Sequence, residues 1–245
     1  MTEEIKTEGI CLRAVEYGES DRIITLLTDK AGKVAVRARG VSSPKSKLRH
    51  AALPFSFGEY ILTLRNDFYS LKSFDYNDAF TAVSDDLVRY FCGTAGLEIA
   101  DKLTEESIPV REEMARLLRF LMAITYDHGR TEALLTYLLD MLRIAGYAVS
   151  ADGVTAGYDP KNYCFDLEEG GFRPLSLKSP YAVRLSAAAV TTLLAYLEGR
   201  EVPLTDRFVA SEIFSCLSRY VHVKTGKQLR SLFEFADLLR NGARG

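Results

Sequence analysis

Up to about residue 80, short apolar runs of strand-forming residues are broken by clusters of turn-forming ones. Glu8–Val15, Arg22–Thr28, Lys33–Arg39, Glu59–Arg65 and Tyr69–Tyr76 are short runs rich in Ile, Val, Leu, Thr and Tyr. Turn-forming Gly, Asp, Ser and Asn separate them at Tyr17–Asp21, Asp29–Gly32 and Arg65–Phe68, and a longer link, Val41–Phe57, carries Pro44 and Pro54. Five strands with one long connection between the third and fourth predict a small closed barrel of the OB type, a pattern that an SH3-like barrel shares. In the third run Lys33, Arg37 and Arg39 fall on one face and Val34, Val36 and Ala38 on the other. That strand is expected to have an apolar inner side and a cationic outer one.

From Ser84 onward the apolar spacing becomes helical. Leu87, Phe91, Ala95 and Ile99 define the face of a first helix. Val110, Met114, Leu117, Leu118, Leu121 and Ile124 line a second, bounded by Pro109 and Gly129. Leu134, Leu135, Leu138, Met141, Leu142 and Ala145 line a third, ended by Gly146. After an irregular stretch from Tyr147 to Tyr181, Ser186 is placed to cap a fourth helix through Glu198 and Thr205 a fifth through Lys224. Ser231 with Glu234 has the spacing of a capping box for a last helix. The pattern therefore predicts an α+β chain: a five-stranded OB-type barrel over residues 1–80, then an all-α helical domain over 81–245 with an irregular insertion at 147–181.

Composition narrows the function. The chain has 245 residues, 47% apolar and 26% charged, enough to bury a proper core. Lys and Arg total 31 against 33 Asp and Glu, so the molecule is not a uniformly basic nucleic-acid binder. Apolar runs such as Ala187–Val190 fall far short of the roughly 18 residues of a membrane span. Met1–Lys6 shows no secretory pattern, so a cytoplasmic location is expected. The four cysteines, at 11, 92, 164 and 216, form no Cys-x-x-Cys and read as free, buried thiols. His50, His128 and His222 are remote from one another, and no metal or cofactor is expected.

Charge distribution is more informative than its total. From Lys30 to Gly58 there are seven basic residues, plus His50, and no acid. Of these, Lys33, Arg37, Arg39, Lys45, Lys47 and Arg49 are the candidate phosphate contacts, on a barrel type whose grooves track nucleic-acid backbones. The same residues also read as a solvated strand face with a flexible lysine loop. An enzyme finds little support: Gly-x-Ser-x-Gly, Gly-x-x-x-x-Gly-Lys-Ser/Thr and Gly-x-Gly-x-x-Gly are absent, and Thr225-Gly226-Lys227 reads as a helix C-terminus. The acidic pairs at 85–86, 105–106, 112–113 and 168–169 read as helix-entry charges or solvated loops. No catalytic residue is expected.

Several ordered blocks resemble a known family. Thr7–Arg13, Tyr17–Thr28, Gly32-Lys33, Ala38–Val41, Pro44–Leu48 and Pro54–Gly58 are similar to the head of the bacterial recombination mediator RecO. Leu139–Tyr147, Phe165–Phe172 and Gly226–Phe235 extend the likeness through the body. The resemblance implies an OB-fold head, a helical body and binding of single- and double-stranded DNA. It further implies annealing of complementary strands and loading of RecA onto SSB-coated strands with RecR, with RecF as a further functional link, at the nucleoid. It also implies that the body binds the acidic, apolar C-terminal tail of SSB. Arg116, Arg119 and Arg143 beside Leu117, Leu138 and Leu142 are the candidates for that contact. The alternative within the same family is a scaffold bridging RecR and SSB with only weak DNA binding.

The chain departs from the family at one place. Many relatives carry a four-cysteine zinc site in the body, whose positions fall here on Gly153–Gly157 and Arg173–Lys178, with no cysteine in either. Cys164 replaces none of them, so this region is expected to hold by packing of Tyr158, Tyr163, Phe165 and Phe172.

Overall fold

The computed structural model describes residues 3–77, 79–106, 108, 110–126, 130–155, 157–200 and 202–242. Pro109, His128, Gly129 and Ala156 lie outside the described residues. The chain forms two compact units, Met1–Asp127 and His128–Gly245.

The first unit starts with a closed barrel of β1 (Glu3–Tyr17), β2 (Asp21–Thr28), β3 (Gly32–Ala38), β4 (Phe57–Arg65) and β5 (Phe68–Asn77). The strand order is β1-β2-β3-β5-β4, with β3 and β5 parallel through Val36↔Tyr69 and Arg37↔Ser70. This closure is the OB-type arrangement. β1 begins five residues before the run that starts at Glu8, because its first half pairs with β4 and its second with β2, with a bulge between Cys11 and Arg13. Ile24, Leu26, Val34, Val36, Tyr60 and Leu62 fill the interior. Within the long link a 3₁₀ turn, Arg49–Ala52, inserts Ala51 and Ala52 into the same core.

A second 3₁₀ turn, Thr81–Asp85, leads into α1 (Leu87–Leu103), capped by the Asp86 carboxylate accepting from the Arg89 N–H at 2.7 Å, and then α2 (Arg111–Tyr126). The buried stripe of α1 runs through Cys92, Ala95, Ile99, Ala100 and Leu103, whereas Leu87 is 56% exposed. Of the expected face, Ala95 and Ile99 are buried, and Leu87 at the first position of the helix is not. Gly96 lets α2 approach closely, since a Cβ there would lie 2.1 Å from the Phe120 ring.

The second unit contains α3 (Arg130–Ile144), β6 (Tyr163–Asp166), β7 (Gly171–Pro174), β8 (Ala182–Val183), α4 (Ala187–Leu197), α5 (Arg207–Thr225) and α6 (Arg230–Asn241). The stretch read as irregular from sequence holds an antiparallel sheet in the order β7-β6-β8. Its strands are two to four residues long, too short for a periodicity to show. Ser186 caps α4, as expected. Asp206 caps α5 in place of Thr205, its carboxylate accepting from the N–H groups of Phe208 and Val209. α6 begins at Arg230 with buried Leu229 at its N-cap, so the Ser231–Glu234 capping box does not form. Gly226, at φ 70°, ends α5, the role read for Thr225-Gly226-Lys227.

Candidate nucleic-acid interface

The β2–β3 hairpin pairs Arg22 with Ala38 and Ile23 with Arg37, which brings Asp21 level with the end of β3. Asp21 Oδ1 accepts the Gly40 N–H at 2.8 Å, and Oδ2 accepts Nε and Nη2 of Arg37 at 3.0 and 2.8 Å. The Gly40 N–H and then the Arg37 guanidinium hold this carboxyl below its ordinary range. Further along, the Ser42 N–H donates to the Ser20 carbonyl at 2.9 Å. Arg22 donates to Ser42 Oγ at 3.2 Å and to the Ala52 carbonyl at 3.4 Å. These bonds strap both ends of the link across the β1–β2 turn, and the segment between them carries Lys45, Lys47, Arg49 and His50, all exposed.

Arg37, Arg39, Lys45, Lys47 and Arg49 thus gather at one end of the barrel. Arg39, Lys45, Lys47 and Arg49 are exposed and form no salt bridge among the described residues. Arg37 is partly spent: besides its Asp21 ion pair, its guanidinium lies 5.0 Å from the centroid of the Tyr17 ring.

Lys33 is a correction. It lies on the outer face of β3 as the alternation requires, but at the opposite end, where the C-terminus of α1 covers it. It is 6% exposed, and its ammonium donates to the carbonyls of Asp101 and Thr104, both at 2.6 Å. A cation serving the last carbonyls of a helix is not available to a phosphate. The nearby segment leaves no slack, since a Cβ on Gly32 would meet the Ile108 carbonyl oxygen at 2.2 Å. Asp21 and Tyr17 were missed from sequence, although the hairpin register, counted back from the Asp29–Gly32 turn, would have placed Asp21 opposite Arg39 and diagonal to Arg37.

The residues expected to receive the SSB tail also need correction. Leu117, Leu138 and Leu142 are fully buried, so none can line a docking surface. Arg116 pairs with Glu112 one helical turn away at 3.5 Å, while Arg119 and Arg143 are exposed. These leucines carry the core stripes of α2 and α3. The second unit has a different apolar groove, of about 600 Å³, whose lining includes Tyr181, Val223, Leu229 and Phe233 with Arg219, His222, Arg230 and Glu234. Phe233 is 58% exposed there.

The residues at the family's zinc positions do not fit the metal. A Cβ on Gly153 would lie 1.9 Å from the Phe172 carbonyl oxygen, leaving no room for a cysteine side chain. Arg173 is committed to Asp166 at 2.8 Å, and Asp166 is 1% exposed. Burial alone would raise the Asp166 carboxyl. Hydrogen bonds from Ser179, the Glu169 N–H, Arg173 and the Glu168 N–H outweigh it and bring the pKa down to about 2. Around this pair Tyr158 meets Tyr163 edge-on at 6.0 Å, and Phe165 meets Phe172 at 5.6 Å and Tyr220 at 5.7 Å. Among the described residues no three His, Cys, Asp or Glu side chains converge as a metal site. All four cysteines are buried, and burial pushes the Cys11 and Cys216 thiols up to about 12.

Residues 1–80 match the family described as Recombination protein O N terminal, and residues 84–233 match Recombination protein O C terminal. A DNA repair protein RecO from Anaeromyxobacter dehalogenans (strain 2CP-C) is 32% identical across 97% of this chain and 99% of its own length. Another from Exiguobacterium sp. (strain ATCC BAA-1283 / AT1b) is 29% identical across 96% of each. Among the described residues no helix is long and apolar enough to cross a membrane.

Proposed function

The chain belongs to the RecO family of DNA repair proteins, and from that premise we propose that it is a nonenzymatic recombination mediator that binds DNA through its barrel. The observation that carries this reading is the strapped link: Arg39, Lys45, Lys47 and Arg49 stand exposed at one barrel end and form no salt bridge among the described residues. Such a set neutralises phosphates without reading bases. Bringing two complementary strands to one cationic surface lowers their mutual repulsion and so speeds annealing. We assign DNA contact to residues 1–80 and partner docking to 81–245.

The family membership supports these partners: RecR as co-mediator, SSB-coated single strands as the substrate, RecA as the protein loaded, and RecF as a further link. For the SSB tail, the groove lined by α5, α6 and the Pro180-Tyr181 segment supports docking better than the α2 and α3 leucines do. It offers exposed Phe233 and Val223 beside Arg219, His222 and Arg230, a match for an acidic, apolar peptide.

The test follows annealing of complementary oligonucleotides by energy transfer, with the wild-type chain and a Lys45→Ala/Lys47→Ala/Arg49→Ala variant. The expected result is salt-sensitive annealing that the triple variant loses. Annealing at the wild-type rate in that variant would overturn the assignment.

A further inference from the structure

Four aromatic rings run in sequence from the barrel core to the cationic link. Tyr60, fully buried, lies 4.3 Å from Phe74 between ring centroids; Phe74 lies 5.9 Å from Tyr76, and Tyr76 lies 5.3 Å from His50. The outer two rings face solvent: Tyr76 is 41% exposed and His50 is exposed. Both are held in place. The Tyr76 hydroxyl is 2.9 Å from Thr81 Oγ1. The His50 carbonyl accepts from the hydroxyl of buried Ser56, and Tyr60 donates to the carbonyls of Ser56 and Ala51. The link that bears His50 is therefore tied to the same core that supports Tyr76.

We propose that the His50–Tyr76 ring pair is a stacking platform for an unpaired nucleobase, giving the link a preference for single over double strands. The inference rests on the phosphate-binding role proposed above for the same link. Charge complementarity selects the occupant: His50 follows Lys45, Lys47 and Arg49 directly in a stretch without a carboxylate. A strand whose phosphates meet those cations has its bases within reach of the rings. Every base has a π-face, so stacking adds affinity without sequence preference, whereas a duplex keeps its bases stacked on each other. Rings anchored to the core lose little freedom on binding.

Fluorescence anisotropy with the full chain would compare oligothymidylate, a duplex of equal charge and an abasic strand that keeps phosphates but lacks bases. Tyr76→Ala is expected to weaken oligothymidylate binding by about tenfold, with the salt slope and duplex affinity unchanged. Tyr76→Phe, which keeps the ring, is expected to bind as wild type and so separates stacking from loss of fold. On the abasic strand wild type and Tyr76→Ala should be equal. Equal losses on single strand, duplex and abasic strand, or no loss on any, would overturn the platform while leaving the phosphate contacts standing. Wild-type binding without a salt slope would overturn both readings.

Discussion

Asp21 accepts two hydrogen bonds from Arg37 on one carboxylate oxygen, at 2.8 and 3.0 Å. Its other oxygen holds the Gly40 N–H, so one side chain both anchors the start of the cationic link and neutralises its first arginine. The carboxylate therefore restrains the interface it helps to build.

Asp21→Asn tests that restraint. The amide still offers an acceptor to Gly40 but no charge to Arg37. Single-strand affinity should rise several-fold, and the log-log salt slope should steepen by about 0.7, the contribution of one added phosphate contact. An unchanged slope would place Arg37 outside the DNA path. The pH dependence has a definite sign. Because the folded-state pKa of Asp21 is depressed, its anchoring is fully present above the ordinary carboxylate range near pH 4. It is lost as pH falls through the lower folded value.

Lysines on either side of the barrel should part ways. Four exposed cations that form no salt bridge among the described residues imply a single-strand slope near −2.8, at about −0.7 each, and Lys45→Ala/Lys47→Ala should reduce it by about 1.4 with no change in melting temperature. Lys33→Met should leave the slope untouched. It should instead cost about 2 kcal/mol of stability, since it removes a buried ammonium that serves two carbonyls at the end of α1. Titrations at several salt concentrations, with urea melts of each variant, separate the two effects. A shallower slope for Lys33→Met would restore it to the interface.

This contrast also marks how much was legible in the sequence. Alternation placed Lys33 and Arg37 on the same outer face of β3, and the structure agrees. What alternation cannot reveal is which stretch of that face another element will cover, because α1 arrives from some seventy residues away. Leu117, Leu138 and Leu142 failed for the converse reason: a helical stripe of leucines is what a core requires, and nothing local separates it from a docking face. The barrel was readable because its strands and turns are local signals. The His50–Tyr76 pair was not, since it joins the long link to the end of β5.

The hydrogen bonds Asp166 accepts, from Ser179 first and then from the Glu169 N–H and Arg173, make the second unit acid-sensitive. With a folded pKa of about 2 against an unfolded value near 4, ionised Asp166 stabilises the fold by about 2 kcal/mol. That contribution is complete above pH 4 and is lost as pH falls from about 4 to 2. Asp166→Asn should therefore lower the melting temperature at pH 7 and flatten its decline over that acid range. An equally steep decline in the variant would assign the acid sensitivity to other carboxylates.

Restoring a cysteine at the family's zinc position should fail, and the reason is steric. Gly153 packs so closely under Phe172 that a Cβ would approach its carbonyl oxygen to 1.9 Å, so Gly153→Cys must shift the loop or β7 to be accommodated. Arg173, in the segment to which the resemblance assigns the second pair, is already neutralised by Asp166, and the edge-on contacts of Phe165 with Phe172 and Tyr220 supply packing there. Structural zinc contributes folding free energy outright, so a chain relying on it melts earlier when chelated. The wild-type chain should melt at the same temperature with and without EDTA and purify without stoichiometric zinc. Gly153→Cys should melt several degrees lower and gain nothing from added zinc. Stoichiometric zinc in the wild-type protein, or a melting temperature lowered by EDTA, would show that ligands converge from elsewhere in the chain.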